Sequence, residues 1–142
     1  MSVTTLPTAT ISYDDDWTED FSYETPPSYT YKLHADSERV LGYTDELEAY
    51  RQAVYKILNT ERYEYLIYSW NYGIELKNLI GKHIAYVIPE VERVVTEAIM
   101  QDDRTVSVTD FEFDTSKLGV VAVTFKCTSI YGEIEQQLTV EI

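Results

Sequence analysis

Positive charge is in short supply in this chain: 11 Lys and Arg stand against 25 Asp and Glu, a net charge of -14 at pH 7. That balance argues against nucleic acid as a partner, because phosphate binding relies on clustered Lys and Arg. It argues equally against an anionic membrane surface. A partner with a basic face, or simple solubility, is what remains. Cysteine is limited to Cys127, so no intrachain disulfide can form. Cys127 falls in an alternating apolar pattern, where a small buried hydrophobe is expected, and no histidine lies near it in sequence to serve as a base. His34 and His83 are far apart and lack metal-ligand spacing. There is no Gly-rich phosphate loop, nucleophile elbow or zinc motif. No stretch approaches the ~20 apolar residues that cross a bilayer. The first residues lack the basic start and apolar run of a signal peptide. Synthesis and folding in a cytoplasm are therefore expected.

Aromatic side chains, by contrast, are plentiful. The chain of 142 residues holds 13 tyrosines, a length that suits one domain with a real core. Tyr63, Tyr65, Tyr68, Trp70 and Tyr72 fall within ten residues, between two helix-patterned segments. Such a cluster closes a core seam or presents a docking surface, and a loop packed on one side only serves both ends.

Residues 1–28 read as an extended acidic arm, with three of the four prolines, six acidic residues and no basic one. Such a segment cannot bury enough surface to offset its ordering entropy alone. Its spaced aromatics (Tyr13, Trp17, Phe21, Tyr23) fit a segment that orders on a partner, and its charge fits a solvated tail. Residues 29–142 read as a single domain. Tyr29 to Leu33 and Arg39 to Leu41 suggest a short hairpin ended by Gly42. Thr44 is the expected N-cap of a helix from Asp45 to Leu58, with Leu47, Tyr50, Val54, Ile57 and Leu58 at helical spacing. A short helix is expected over Glu75 to Ile80, stopped by Gly81. A second long helix follows, through Ile84, Val87, Val91, Val94, Val95, Ala98 and Ile99, starting at Pro89 or kinked there.

The last third patterns as sheet. Val106 and Val108 share one parity and Phe111 and Phe113 the other, which predicts a bulge near Thr109 and Asp110. Val121, Val123, Phe125 and Cys127 alternate cleanly with polar residues, and Ser129 to Gly132 is a hairpin turn. Ile134, Leu138, Val140 and Ile142 alternate with Glu135, Gln137, Thr139 and Glu141, with Gln136 interrupting the apolar face. The chain thus ends in a strand. An uncovered terminal strand offers N–H and C=O groups to another chain, unless Glu133, Glu135 and Glu141 serve only to blunt it.

The fold class is α+β: two main helices packed on one face of a mostly antiparallel sheet built chiefly from the last three strands, with a C-terminal β-hairpin. The expected core is Leu47, Tyr50, Val54, Ile57, Leu58, Leu76, Ile80, Val91, Val94, Val95, Ala98, Val108, Val121, Val123 and Phe125. Among so many carboxylates, Glu61 and Glu75 are the pair to test for sugar chemistry, because they flank the aromatics.

Three short runs carry a resemblance. They are residues 57–62 (Ile57 to Arg62), residues 72–81 (Tyr72 to Gly81) and residues 97–104 (Glu97 to Arg104), the last followed by a valine-rich strand. In this order and spacing the chain resembles the baseplate wedge and sheath-initiator proteins of contractile phage tails, in the version found in Gram-positive prophages and phage-tail-like particles. Leu58, Thr60, Glu61 and Arg62 match a segment of the type leucine-x-threonine-x-x-Gly-Glu-Arg, without its Gly. Gly73 and Leu76 match a following Gly-x-x-Leu. Asp102, Asp103 and Arg104 fall on a Glu-Pro-Arg signature that only Arg104 matches outright.

The resemblance implies a non-enzymatic structural role with no cofactor and no bound metal. The protein would sit in the baseplate wedge and pass its C-terminal sheet to the first sheath ring by strand exchange. Its partners would be the tail sheath protein and wedge proteins, with the tail tube as a further neighbour. The implied partner-binding residues are Arg104, Asp102, Glu61, Arg62, Trp70 and Tyr72 on the wedge side, and Ile134, Leu138, Val140 and Ile142 on the strand. Arg104 is equally readable as one half of an intrachain salt bridge, and Glu61 with Arg62 as a structural pair. The rival function is a lysozyme-like peptidoglycan hydrolase of the tail.

Overall fold

The computed structural model describes Glu24 and residues 27–142. Of the expected arm, only Glu24, Pro27 and Ser28 are among them, so that expectation lies outside the described residues. In order, the elements are β1 (Thr30–His34), a 3-10 turn (Ala35–Ser37), β2 (Arg39–Thr44), α1 (Glu46–Leu58), a second 3-10 turn (Lys77–Leu79), α2 (Ile84–Met100), β3 (Thr105–Asp114), β4 (Val120–Ser129) and β5 (Gly132–Glu141). The strands form two antiparallel sheets, β1-β2 and β3-β4-β5. Helix α2 lies over β3 and helix α1 over β5, on the same face of the larger sheet. The α+β expectation holds.

The core sits between that helix pair and the inward side of the sheet. Val121, Val123, Phe125 and Cys127 of β4 are fully buried, and Ile134 and Val140 of β5 nearly so. They meet Tyr50, Val54 and Ile57 of α1 and Val87, Val91, Val95 and Ile99 of α2. Each fully buried side chain of this size contributes ~2 kcal/mol of transfer free energy. Tyr50 carries the one hydroxyl at the centre. It shares a 2.8 Å hydrogen bond with Thr105 Oγ1, which in turn donates to the Ile99 carbonyl at 3.0 Å. Burial pushes the Tyr50 hydroxyl up to about 12 and the Cys127 thiol up to about 12, so both are neutral core groups.

Several local expectations are corrected. Helix α1 is capped by Asp45 rather than Thr44: the Asp45 carboxylate accepts from Glu46 N–H at 2.7 Å. Ser28 joins this cap, donating to Asp45 Oδ1 and accepting from Glu46 N–H at 3.0 Å. The Ser28 hydrogen bond, then the Glu46 N–H, hold the Asp45 carboxyl below the usual carboxylate range. Gly42 does not end the return strand but lies inside β2, at φ +76°. The expected helix over Glu75–Ile80 is a single 3-10 turn. With its tighter winding Leu79 turns inward and Ile80 is left 62% exposed, so Ile80 leaves the expected core. Leu47, Leu76 and Val108 pack on the core only partly buried.

Helix α2 begins well before Pro89 and continues through it. The proline removes the N–H that the Ala85 carbonyl would accept. Both residues are exposed, so water can take its place. His83 caps the helix, its Nδ1 accepting from Ala85 N–H at 3.2 Å.

Strand β3 carries two bulges. One lies between Thr109 and Glu112, where Asp110 adopts φ +56°, as the parity switch predicts. The other, between Thr105 and Ser107, swings Val106 out of line with Val108, and Val106 is exposed. Strand β5 pairs with β4 without a shift from Val120↔Glu141 to Ser129↔Gly132. Among the described residues, no helix is long and apolar enough to cross a membrane.

Gly73 separates backbone strain from backbone contact. At φ +95° a Cβ there would stand 2.5 Å from the Thr60 carbonyl oxygen, whereas Gly42 at φ +76° has open space around it. Gly42→Ala should therefore cost only the left-handed strain, about 1–2 kcal/mol. Gly73→Ala should cost clearly more, because backbone must shift as well. Paired urea melts of the two variants check this. Equal losses would show that the close approach at Gly73 carries no weight.

Candidate functional site

Helix α1 ends at Leu58, and the chain then makes a long excursion before α2. The excursion is pinned shut at its base. Ile74 N–H donates to the Thr60 carbonyl at 2.9 Å and Arg62 N–H to the Ile74 carbonyl at 3.0 Å, forming a bridge between Glu61 and Ile74. Ile74 is buried beneath it. Only a glycine at 73 lets the two backbones come this close.

Arg62 locks this closure to α2. Its side chain is 8% exposed. Nε donates to the Gly73 carbonyl at 3.3 Å, Nη1 to Glu97 Oε1 at 2.8 Å, and Glu75 stands 3.7 Å away. Burial disfavours the guanidinium charge, but Glu97 and Glu75 outweigh it and hold Arg62 above its ordinary range. The chain of charge continues along α2. Glu97 also receives Arg93 at 2.9 Å, and Arg93 reaches Glu90 at 2.5 Å. Glu61 accepts from the Lys77 backbone N–H at 3.3 Å. Glu61 and Glu75 are thus both engaged in holding the loop.

Arg104 and Asp102 form the second cluster. Arg104 donates to Asp102 through Nε at 2.9 Å and through Nη2 at 2.6 Å. Its backbone N–H adds a third bond at 3.0 Å. The guanidinium also lies over the Tyr50 ring, 5.7 Å from the centroid. Burial raises the Asp102 carboxyl, yet the Arg104 hydrogen bonds outweigh it and the net position is below the usual carboxylate range. Tyr72 approaches the same corner. A cleft of about 300 Å³ is lined by Ile57, Tyr72, Ala98 and Asp102. So the three short runs, distant in sequence, converge where α1 ends and α2 ends.

Beyond that corner the aromatics are presented outward. Trp70 is 83% exposed, and Tyr63, Tyr65, Leu66 and Ile67 are exposed around it. Tyr68 stacks on half-buried Tyr72 at 4.4 Å and meets Tyr65 edge-on. The loop is therefore held on one side and apolar on the other, which is unusual for a lone surface.

In the larger sheet β5 is an edge strand. Among the described residues it pairs only with β4. Ile142 N–H donates to the Gly119 carbonyl at 3.0 Å, and antiparallel pairs alternate between bonded and non-bonded. From the register, Gly132, Ile134, Gln136, Leu138, Val140 and Ile142 spend their backbone groups on β4. Glu133, Glu135, Gln137, Thr139 and Glu141 point theirs outward. Ile134 and Val140 are buried in the core, with Leu138 and Ile142 packed against it. These four side chains point to the core rather than to the open edge. From sequence Glu133, Glu135 and Glu141 were read only as charges that could blunt the edge, and the partner contacts were assigned to the even-numbered side chains, though the two-residue hairpin turn already fixed the parity. Glu97 was missed, because its partner Arg62 lies on another element.

A family profile described as contractile injection system sheath initiator matches residues 27–132. The chain is also 41% identical over 114 residues to the phage-like element PBSX protein XkdS of Bacillus subtilis, covering 75% of this chain and 77% of that protein.

Arg62→Ala should lower stability by about 2 kcal/mol, since it strands the Gly73 carbonyl and Glu97. It should also raise amide exchange across 63–72, while Glu97→Gln does less because Glu97 is partly exposed. The hydrogen bond from Arg62 holds the Glu97 carboxyl below its ordinary 4.5. Its contribution is complete above pH 4.5 and falls away as pH drops through the lower folded value. Acid unfolding of Glu97→Gln should accordingly lose part of its pH dependence below that point. An unchanged acid profile would mean that the pair adds nothing.

Proposed function

The chain belongs to the contractile injection system sheath initiators, and from that premise we propose that it links the baseplate wedge to the first sheath ring and starts sheath assembly by strand exchange at β5. In this proposal residues 29–142 act as one domain without catalysis. The protein is made in the bacterial host cytoplasm and built into the baseplate of a phage or phage-tail-like particle. The observation that carries it is the outer edge of β5, an unshifted ladder with one side unfilled among the described residues. Each outward N–H and C=O is available to a sheath strand.

The wedge contact falls to the corner where α1 and α2 end. Trp70 and its neighbours offer the apolar surface that wedge proteins cover. Tyr72, Glu61 and Arg62 hold that surface in place, and Asp102 with Arg104 borders it. The tail tube is a further neighbour in this arrangement. Glu61 and Glu75 have structural work, which supports a non-enzymatic role over a peptidoglycan hydrolase.

Truncating β5 is a poor test, because Ile134 and Val140 belong to the core. Proline at an outward position removes only an outward donor. Gln137→Pro and Thr139→Pro should fold with a modest loss, about 1 kcal/mol, and leave tails without sheath when supplied in place of the natural protein. Thr124→Ser, on the neighbouring strand, serves as the control. Fully sheathed tails from folded Gln137→Pro and Thr139→Pro would rule out strand exchange at this edge.

A further inference from the structure

The outward set of β5 has a chemical signature. Glu133, Glu135 and Glu141 occupy three of its five positions, all exposed, on the side of the sheet away from the helices. Among the described residues none of the three makes a side-chain hydrogen bond or an ion pair of its own. The nearest cation, Lys126, is bound to Asp110 at 3.0 Å and feels Glu133 and Glu135 only at a distance. So the edge presents a row of unneutralised carboxylates in register with its free backbone groups.

That row rejects two occupants. A second copy pairing β5 to β5 would bring acidic rows together, and like charges across a strand pair are destabilising. The chain's own residues 1–28 contain six acidic side chains and no Lys or Arg, so they are no better matched. A complementary occupant needs the opposite sign across from Glu133, Glu135 and Glu141, and none across from Gln137 and Thr139.

We infer that the strand received by β5 carries Lys or Arg opposite Glu133, Glu135 and Glu141, with apolar side chains at the intervening positions that face the helix side. This rests on the strand-exchange proposal and specifies the chemistry of the partner. The intervening side chains face the helix side of the sheet, in line with Ile134, Leu138 and Val140. Near Gln136 they meet a groove of about 260 Å³ between β5, α1 and the β1-β2 hairpin, lined by Leu33, Arg51, Gln52, Tyr55, Glu135 and Gln136. One aliphatic side chain fits there, with its stem against Leu33 and Tyr55, and fixes the register of the added strand.

The test uses the full chain and three synthetic peptides. One alternates Lys with Val and is N-methylated along one edge, so that it cannot pair with itself. The second carries Glu in place of Lys, and the third holds the Lys and Val in separate blocks. The alternating Lys peptide should slow amide exchange at Glu133, Glu135, Gln137, Thr139 and Glu141. It should bind roughly tenfold more tightly than the Glu peptide, the combined effect of three opposite-charge pairs. The variant Glu133→Lys, Glu135→Lys, Glu141→Lys, confirmed as folded by circular dichroism, should reverse that preference. Equal protection of those five amides by the Lys and Glu peptides would overturn the charge pattern and leave strand exchange standing. Protection by none of the peptides would overturn strand exchange itself. Equal binding by the blocked and alternating Lys peptides would reduce the effect to general attraction to an acidic protein and overturn the inference.

Discussion

The two-residue period of β5 is the constraint on which the rest turns. A strand has two faces and two edges, and both alternate with the same period. In β5 the even-numbered residues send their side chains to the core and their backbone groups to β4. The odd-numbered residues send side chains to the outer face and backbone groups to the open edge. Under the proposed strand exchange, stability and recognition are therefore carried by different residues of one segment. A shift of one residue would exchange them, turning Glu133, Glu135 and Glu141 onto the core face of the sheet. The buried apolar residues thus fix which carboxylates an arriving strand meets.

At the other end the same economy of parts is reached by a different route. The excursion after α1 has too little regular structure to hold itself, since its base is a single bridge between Glu61 and Ile74. Arg62 supplies what the backbone lacks, joining the Gly73 carbonyl to Glu97 on α2. With the base fixed, the tip can remain apolar and exposed without collapsing onto the core. Arg104 and Asp102 do comparable work one turn beyond α2, satisfied by each other and by the Tyr50 ring. Neither arginine is free in the way a lone basic residue in an acidic sequence suggests.

How much of this could be read from sequence follows the range of the forces. Both helices, the last three strands and the bulge at Asp110 were legible, because each rests on local periodicity. The bulge at Val106 was not, because Val106 and Val108 keep the same spacing whether or not the ladder slips between them. Ile80 was misplaced because a 3-10 turn and an α-turn share the same residues over so short a stretch. The pairing of Arg62 with Glu97 spans 35 residues, beyond any pattern a single sequence displays. The resemblance carried by the three short runs supplied what periodicity could not, by marking the segments that the fold then brings to one corner.

The remaining step concerns why an added strand would choose β5. The described residues offer four strand edges, and three are disturbed. At β1 the Gln52 carboxamide takes the Leu33 N–H at 2.7 Å and donates to the Tyr31 carbonyl at 2.8 Å, imitating a neighbouring strand. At β2 the ladder slips opposite the Tyr31–Leu33 shift, around Gly42. At β3 two bulges break the register, and Asp110 is drawn to Lys126. Bulges and side-chain caps are common means of making an edge unfit for pairing. Strand β5 has neither, and its acidic row discourages copies of itself without obstructing a strand of opposite sign. In the proposed exchange, selectivity would thus come from local defects at three edges and from charge at the fourth.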